Sequence, residues 1–229
     1  MSPAAAIVQP VAEPFADGLN LRATAFAALI HGAGAEEMLG LAQTEEIVPK
    51  AMRRRLSLYD MAAARCIAGL AAPVAGGKGT DEDIVFASRY GNMAVTFDLL
   101  TQVITDDLLS PAKFSVSVHN AAAGAASMVA KNRAGHTAVS GLERTVAAGL
   151  TEAWTRIADG ASSVICIYSD IALMAPYAEF DEAGPSVTLA VRFSAGSVDG
   201  AHVLGDGRRG AEAFARALAA GAGGVTWRP

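Results

Sequence analysis

Apolar and polar positions divide the chain into alternating helical and extended segments. From Ser57 to Leu70 the residues Met61, Ala62, Cys66, Gly69 and Leu70 follow helical spacing, and Asn92–Thr105 forms an amphipathic helix pattern. Further helices are predicted over Asn120–Ala130, from about Glu143 to Ala158 with an end at Gly160, and over Arg209–Ala220. Arg22–Ile30 is also read as helical. β-Branched and aromatic runs mark strands at Asp83–Ser88, Thr137–Ser140, Ser162–Tyr168 and Val187–Phe193, with Ser162–Tyr168 the clearest buried one. Ala4–Val8 reads as a short strand before breaks at Pro10 and Pro14. Turns fall at Pro49, over the Gly/Pro-rich stretch Ala72–Gly79, and at Ser110-Pro111. Strands alternating with helices predict an α/β fold with a parallel or mixed sheet, in a single domain over residues 1–229.

Composition narrows the function classes. Hydrophobic residues make up 52% of the 229 and charged ones 18%, yet no run approaches the roughly 18 apolar residues of a membrane span. The first ten residues lack a basic segment ahead of an apolar one, so no secretory signal is read and a soluble cytoplasmic protein is expected. A net charge of −5 argues against nucleic acid as partner, since phosphate binding needs clustered cations. The one basic cluster is Arg53-Arg54-Arg55, read as a solvated helix start or as a dock for an acidic carrier protein.

Most candidate motifs dissolve on inspection. Gly205-Asp206-Gly207-Arg208-Arg209-Gly210 matches a dinucleotide fingerprint but lies near the C-terminus with no following βαβ unit, so it reads as a turn into a helix. Gly76-Gly77-Lys78-Gly79-Thr80 lacks phosphate-loop spacing and reads as a turn. Ser140 lacks the flanking glycine of a hydrolase elbow. His31, His119, His136 and His202 show no metal-ligand spacing, and Cys66 and Cys166 read as small buried hydrophobes. No metal and no cofactor are expected.

One stretch carries a family resemblance. Ser110-Pro111, Asn120 with Gly124, Ala134-Gly135 and the elbow Thr137–Glu143 follow the order and spacing of a Ser-Pro turn, an Asn-x-x-x-Gly helix, a Gly-Pro turn and a nucleophile elbow. That series resembles the N-terminal half of β-ketoacyl synthases. It bears a closer resemblance to the short ketosynthase-like proteins of aryl polyene and related polyketide-type pathways. With them it shares Arg53–Ser57, Val-Phe-Ala-Ser-Arg-x-Gly at Val85–Gly91, Phe-Ser-x-Ser-Val-His-Asn-Ala-x-Ala-Gly at Phe114–Gly124, and Gly-x-Glu at Gly141–Glu143.

The resemblance implies a truncated thiolase-like fold, mainly the N-terminal ketosynthase half, with layered helices around a mixed sheet. Glu143 falls where the family keeps its catalytic Cys, and the family's two histidine motifs are absent from the sequence. A carboxylate is a poor thioester acceptor, so no catalytic residue is assigned. The implied role is a chain-length-factor-like subunit with no independent activity. It would pair with an active β-ketoacyl synthase, meet an acyl carrier protein, and shape the acyl tunnel of polyketide or fatty-acid-like biosynthesis. Lys113, Phe114, Val116, His119, Asn120 and Gly124 are the tunnel and interface candidates. Asn120–Ala130 and Thr137–Ser140 are expected near a pseudo-twofold axis, with Ala122 and Ala125 permitting close helix approach. The alternative is a malonyl-thioester decarboxylase or thioesterase using Glu143 with His119 or His136.

Overall fold

A computed structural model describes residues 18–32, 34–71, 80–105 and 107–229. The expected strand Ala4–Val8 and the turns over Ala72–Gly79 lie outside these residues. The chain begins with β1 (Leu19–His31) and β2 (Glu36–Gly40), then α1 (Lys50–Arg53) and α2 (Leu58–Ala71). β3 (Asp83–Ala87) is followed by α3 (Met93–Ile104), α4 (Pro111–Ser115) and α5 (Ala121–Ala130). Next come β4 (His136–Val139), α6 (Thr145–Ala158), β5 (Ser163–Asp170) and β6 (Ser186–Ser194). β7 (Ala201–Val203), α7 (Gly207–Ala219) and β8 (Gly224–Trp227) complete it.

Eight strands form one mixed sheet in the order β4-β3-β5-β6-β1-β8-β7, with β2 also paired to β1. β3 runs parallel to both β4 and β5, and β7 parallel to β8, while β1 and β6 supply the antiparallel centre. The period-two alternation of each strand sorts its side chains between two cores. Ile84 and Phe86 of β3 with Ile165 and Ile167 of β5 face α2 and α5. Val85 and Ala87 with Val164, Cys166 and Tyr168 face α6 and α7. Helices therefore cover both faces, and the central strands read as unbroken apolar runs.

Arg22–Ile30 is strand β1, not a helix. Ala27-Ala28-Leu29-Ile30 are all buried, with Ala28 in one core and Ala27 and Leu29 in the other. A segment buried on both faces loses the alternation that distinguishes strand from helix, and a register shift between Ala23 and Ala25 blurs it further. The Ala122 and Ala125 expectation is also corrected. Ala122, Ala123 and Ala126 pack against α2 within this chain and Ala125 is buried, while Met128 is exposed and half-buried Gly124 has open space in its Cβ direction.

Local chemistry fixes the helix starts. Ser57 and Asp60 exchange hydrogen bonds, Ser57 N donating to Asp60 Oδ2 (3.1 Å) and Asp60 N to Ser57 Oγ (3.2 Å), which begins α2. Arg53–Arg55 consequently close α1 and form the turn before α2 rather than opening a helix, with Arg54 and Arg55 exposed. Ser110 caps α4, whose first residue is Pro111. Gly149 lets α6 lie close on the sheet: a Cβ there would stand 2.8 Å from the Ala87 side chain.

Candidate functional site

The C-terminal ends of β3, β4 and β5 bring three segments to one edge of the sheet: Ser88–Gly91, Ser140–Glu143 and Asp170. The β4–α6 elbow is pinned by Thr145, whose hydroxyl donates to Leu142 O (2.7 Å) and accepts from Gly141 N (3.0 Å). Ser140 Oγ donates to Arg89 O (3.1 Å), tying the elbow to the turn after β3. Leu142 takes a left-handed φ of 52° and is exposed, a conformation that disfavours a branched side chain. Glu143 follows in a single 3₁₀ turn leading into α6 and is exposed.

Beneath Glu143 lies a buried ionic network that the sequence reading did not find. Arg89 Nε stands 3.1 Å from Asp170 Oδ2, and Arg89 Nη2 donates to Asp181 Oδ1 (2.5 Å). Arg208 bonds the other Asp181 oxygen from Nη1 and the Glu182 carbonyl from Nη2, each at 2.5 Å. Gly207, at φ 60°, passes so near the Glu182 carboxylate that a Cβ would stand 2.6 Å from it. Burial pushes the Asp170 carboxyl up to about 6, with Arg89 and then Arg208 offsetting part of that rise. Burial also acts on Asp181, but hydrogen bonds from Arg208 and the Leu173 amide hold it below the usual carboxylate range. Arg89 lies inside the Val85–Gly91 motif and Asp170 ends a strongly buried strand, but nothing in the sequence pairs them.

Above the network is a cleft of about 290 Å³ lined by Glu143, Glu179, Asp181, Glu182 and Asp206, with Arg89 as its cation. Among the described residues, no thiol, imidazole or hydroxyl lines it. Acidic side chains outnumber Arg89 five to one among the lining residues. Neither cysteine is among the residues lining the cleft. Both are fully buried in the two cores, and burial pushes the Cys166 thiol up to about 12 and Cys66 well above its ordinary value.

None of the remaining sequence candidates is among the residues that line the Glu143 cleft. His119 Nε2 donates to the Ser88 carbonyl (2.8 Å), and because a carbonyl only accepts, that bond fixes the tautomer. His136 opens β4 while Glu143 follows its far end. Four residues at about 3.3 Å each place roughly 10 Å of strand between them. Asn120 is the N-terminal boundary of α5 without a capping side-chain bond, and open space surrounds the Gly124 Cβ direction. Lys113 pairs with Asp98 at the surface, Val116 ends α4 and is half-buried, and Phe114 is 62% exposed.

Phe114 belongs to a larger uncovered surface. Val103, Ile104, Leu108, Leu109, Phe114 and Val118 are all exposed, reaching 83% at Ile104 and 98% at Leu108. Of the twelve residues of α3, eight are apolar but only Leu99 is buried. The arm is anchored by its Asn92 start and by an edge-to-face contact of Phe97 with Tyr177 (5.8 Å). Among the described residues no group of His, Cys, Asp and Glu is arranged to hold a metal ion, and no helix is long and apolar enough to cross a membrane.

A mixed sheet between two helical layers, with an elbow opening a helix at the C-terminal strand edge, defines a thiolase-like protein. The family model described as β-ketoacyl synthase, N-terminal domain, matches residues 33–220, and the chain belongs to that family. A ketosynthase (ApeO) in complex with its chain length factor (ApeC) from Xenorhabdus doucetiae is similar at 21% identity and a TM-score of 0.65. That match covers 81% of this chain and 85% of the other. The ishigamide ketosynthase/chain length factor is similar at 15% identity and a TM-score of 0.59, covering 77% of this chain and 63% of that one. A β-ketoacyl synthase from Burkholderia phymatum STM815 follows at 10% identity and 0.55, with 77% and 59% covered. This chain thus spans less than two thirds of the latter two. No curated protein matches it.

Proposed function

We propose that the chain is a non-catalytic, chain-length-factor-like subunit that pairs with an active β-ketoacyl-ACP synthase and shapes its acyl tunnel. The observation that carries this reading is the uncovered apolar arm of α3 and α4. An apolar surface of that kind is costly in water and marks an interaction site. With Glu143 at the nucleophile position, in an acid-lined cleft, the chain is suited to supplying a wall rather than a thiolate. The name of one similar structure, a ketosynthase with its chain length factor, supports the same partnership.

In this arrangement Phe114 and Val116 approach the end of the partner's tunnel, with Lys113, His119, Asn120 and Gly124 around the contact. β4, at the end of the sheet, has one edge free for pairing among the described strands. Exposed Arg54 and Arg55, with Arg53, are the proposed contacts for an acidic acyl carrier protein. The product class is a polyketide, aryl polyene or fatty-acid-like chain, made in the cytoplasm by a heterodimer in which this chain is a single domain.

The test is expression alone against co-expression with a candidate ketosynthase partner. Soluble heterodimer and condensing activity only on co-expression support the proposal. A well-behaved monomer at micromolar concentration with no affinity for a ketosynthase overturns it.

A further inference from the structure

A separate cavity of about 450 Å³ lies between the start of α6 and the chain leaving β8. Arg144, Val203, Leu204, Asp206, Trp227 and Arg228 are among the residues that line it, and Glu143 is not. Its chemistry is the reverse of the Glu143 cleft, with two arginines beside a single carboxylate. Arg144 Nη2 donates to the Arg228 carbonyl, which holds the second arginine next to the first. Among the described residues neither guanidinium is ion-paired. Two helices also begin here. Arg144 is the N-terminal boundary of α6 and Asp206 that of α7, helices of 14 and 13 residues whose first turns contain no acidic residue. The Asp206 side chain makes no capping bond. A helix N-terminus carries roughly half a positive charge, so a guanidinium placed on it is unfavourable. The elbow nevertheless keeps Arg144 there with no paired carboxylate to offset it.

We propose that this cavity binds a small organic anion of the phosphate-monoester class. Charge selects it. Two guanidinium groups and two helix starts outweigh the one carboxylate, and a dianion answers both arginines where a carboxylate answers one. A phosphate monoester is mainly a dianion at neutral pH, because its second proton leaves at about pH 6. The planar fork of arginine offers paired N–H donors that match phosphate oxygens. The apolar walls Val203, Leu204 and Trp227 suit an organic group beyond the phosphate, which the bare ion would leave unfilled. The site does not depend on the proposed partnership, because its walls all come from this chain.

The full chain, alone or in its complex, is titrated in a calorimeter with phenyl phosphate at pH 7.5 and constant ionic strength. Benzoate and phenol serve as the monoanionic and neutral comparisons. Saturable binding of phenyl phosphate is expected, with benzoate about tenfold weaker or more and phenol without effect. Arg228→Gln should weaken phenyl phosphate about tenfold or more, and Arg144→Gln at least as much, because it also releases the Arg228 carbonyl. Asp206→Asn removes the opposing charge and should tighten binding. Arg209→Gln removes an exposed arginine that does not line the cavity and should leave affinity unchanged. Each variant is compared as a chain whose circular dichroism matches the parent. Absence of saturable binding, equal binding of benzoate, or unchanged affinity in Arg228→Gln overturns the proposal. A loss in Arg209→Gln equal to that in Arg228→Gln does so too, because it would reveal diffuse positive charge instead of a site. Each result can be read whether or not a ketosynthase partner assembles.

Discussion

Arg89 and Asp170 form a buried ion pair at the base of the acid-lined cleft, Nε to Oδ2 at 3.1 Å, with side chains only 4% and 1% exposed. Arg89 also holds Asp181, so one guanidinium serves carboxylates from the end of β5 and from the loop before β6. Removing it would leave buried acid without a counter-charge. Arg89→Met should cost about 3–5 kcal/mol of stability, the usual cost of breaking such a pair from one side. Denaturant unfolding would measure it, and a loss below about 1 kcal/mol would reject the network as a structural anchor.

The same pair predicts a pH dependence. Asp170 titrates near 6 in the folded chain, above its ordinary 3.8, so the folded state holds its proton more tightly than the unfolded state. Its contribution is complete below about pH 4 and is lost as pH rises through about 6, on the order of 3 kcal/mol. Asp181 is lowered and acts in the opposite sense, losing its contribution only as pH falls below the usual carboxylate range. Subtracting the unfolding free energies of Asp170→Asn from those of the parent at pH 4.5 and 7.5 isolates the Asp170 part. The parent should lose stability relative to the variant as pH rises.

Glu143 tests the chemistry. If its carboxylate takes no part in a reaction, Glu143→Gln and Glu143→Ala should leave product formation by the ketosynthase complex largely intact. A hundredfold loss with the complex still assembled, equivalent to about 2.7 kcal/mol of barrier, would falsify the non-catalytic reading.

Phe114 tests length control. At 62% exposure it contributes little to this chain's own core, so Phe114→Ala should leave the melting temperature of the isolated chain nearly unchanged. In the complex it should lengthen the product, and Val116→Phe should shorten it. Mass spectrometry of the product beside the melting curve separates the two effects. Unchanged product length with a fall in melting temperature would assign Phe114 to packing.

α5 offers paired opposites. Ala122→Leu must push against α2 and should destabilise the chain itself by about 1–3 kcal/mol. Gly124→Leu enters open space, so the isolated chain should be at least as stable while affinity for the ketosynthase falls. Equal partner affinity for parent and Gly124→Leu, measured by titration, would remove this helix face from the interface.

The amino-acid sequence by itself determined the elements whose patterns are local. α2, α3, α5, α6 and α7 follow from helical spacing, and β3, β5 and β6 from compact β-branched and aromatic runs. The family was legible too, because Val85–Gly91, Phe114–Gly124 and Gly141–Glu143 are contiguous motifs at elbows and caps whose backbone needs particular residues. β1 was not legible. Its Ala-rich run fits either period, and only pairing with β2, β6 and β8, far away in sequence, makes it a strand. The direction faced by the alanines of α5 was equally hidden, since small residues suit a contact within the chain and one between chains. The ionic network needed the fold most of all. Arg89, Asp170, Asp181 and Arg208 are dispersed along the sequence and carry no spacing signature, and their charges meet only because parallel β3 and β5 end on the same edge beside the start of α7.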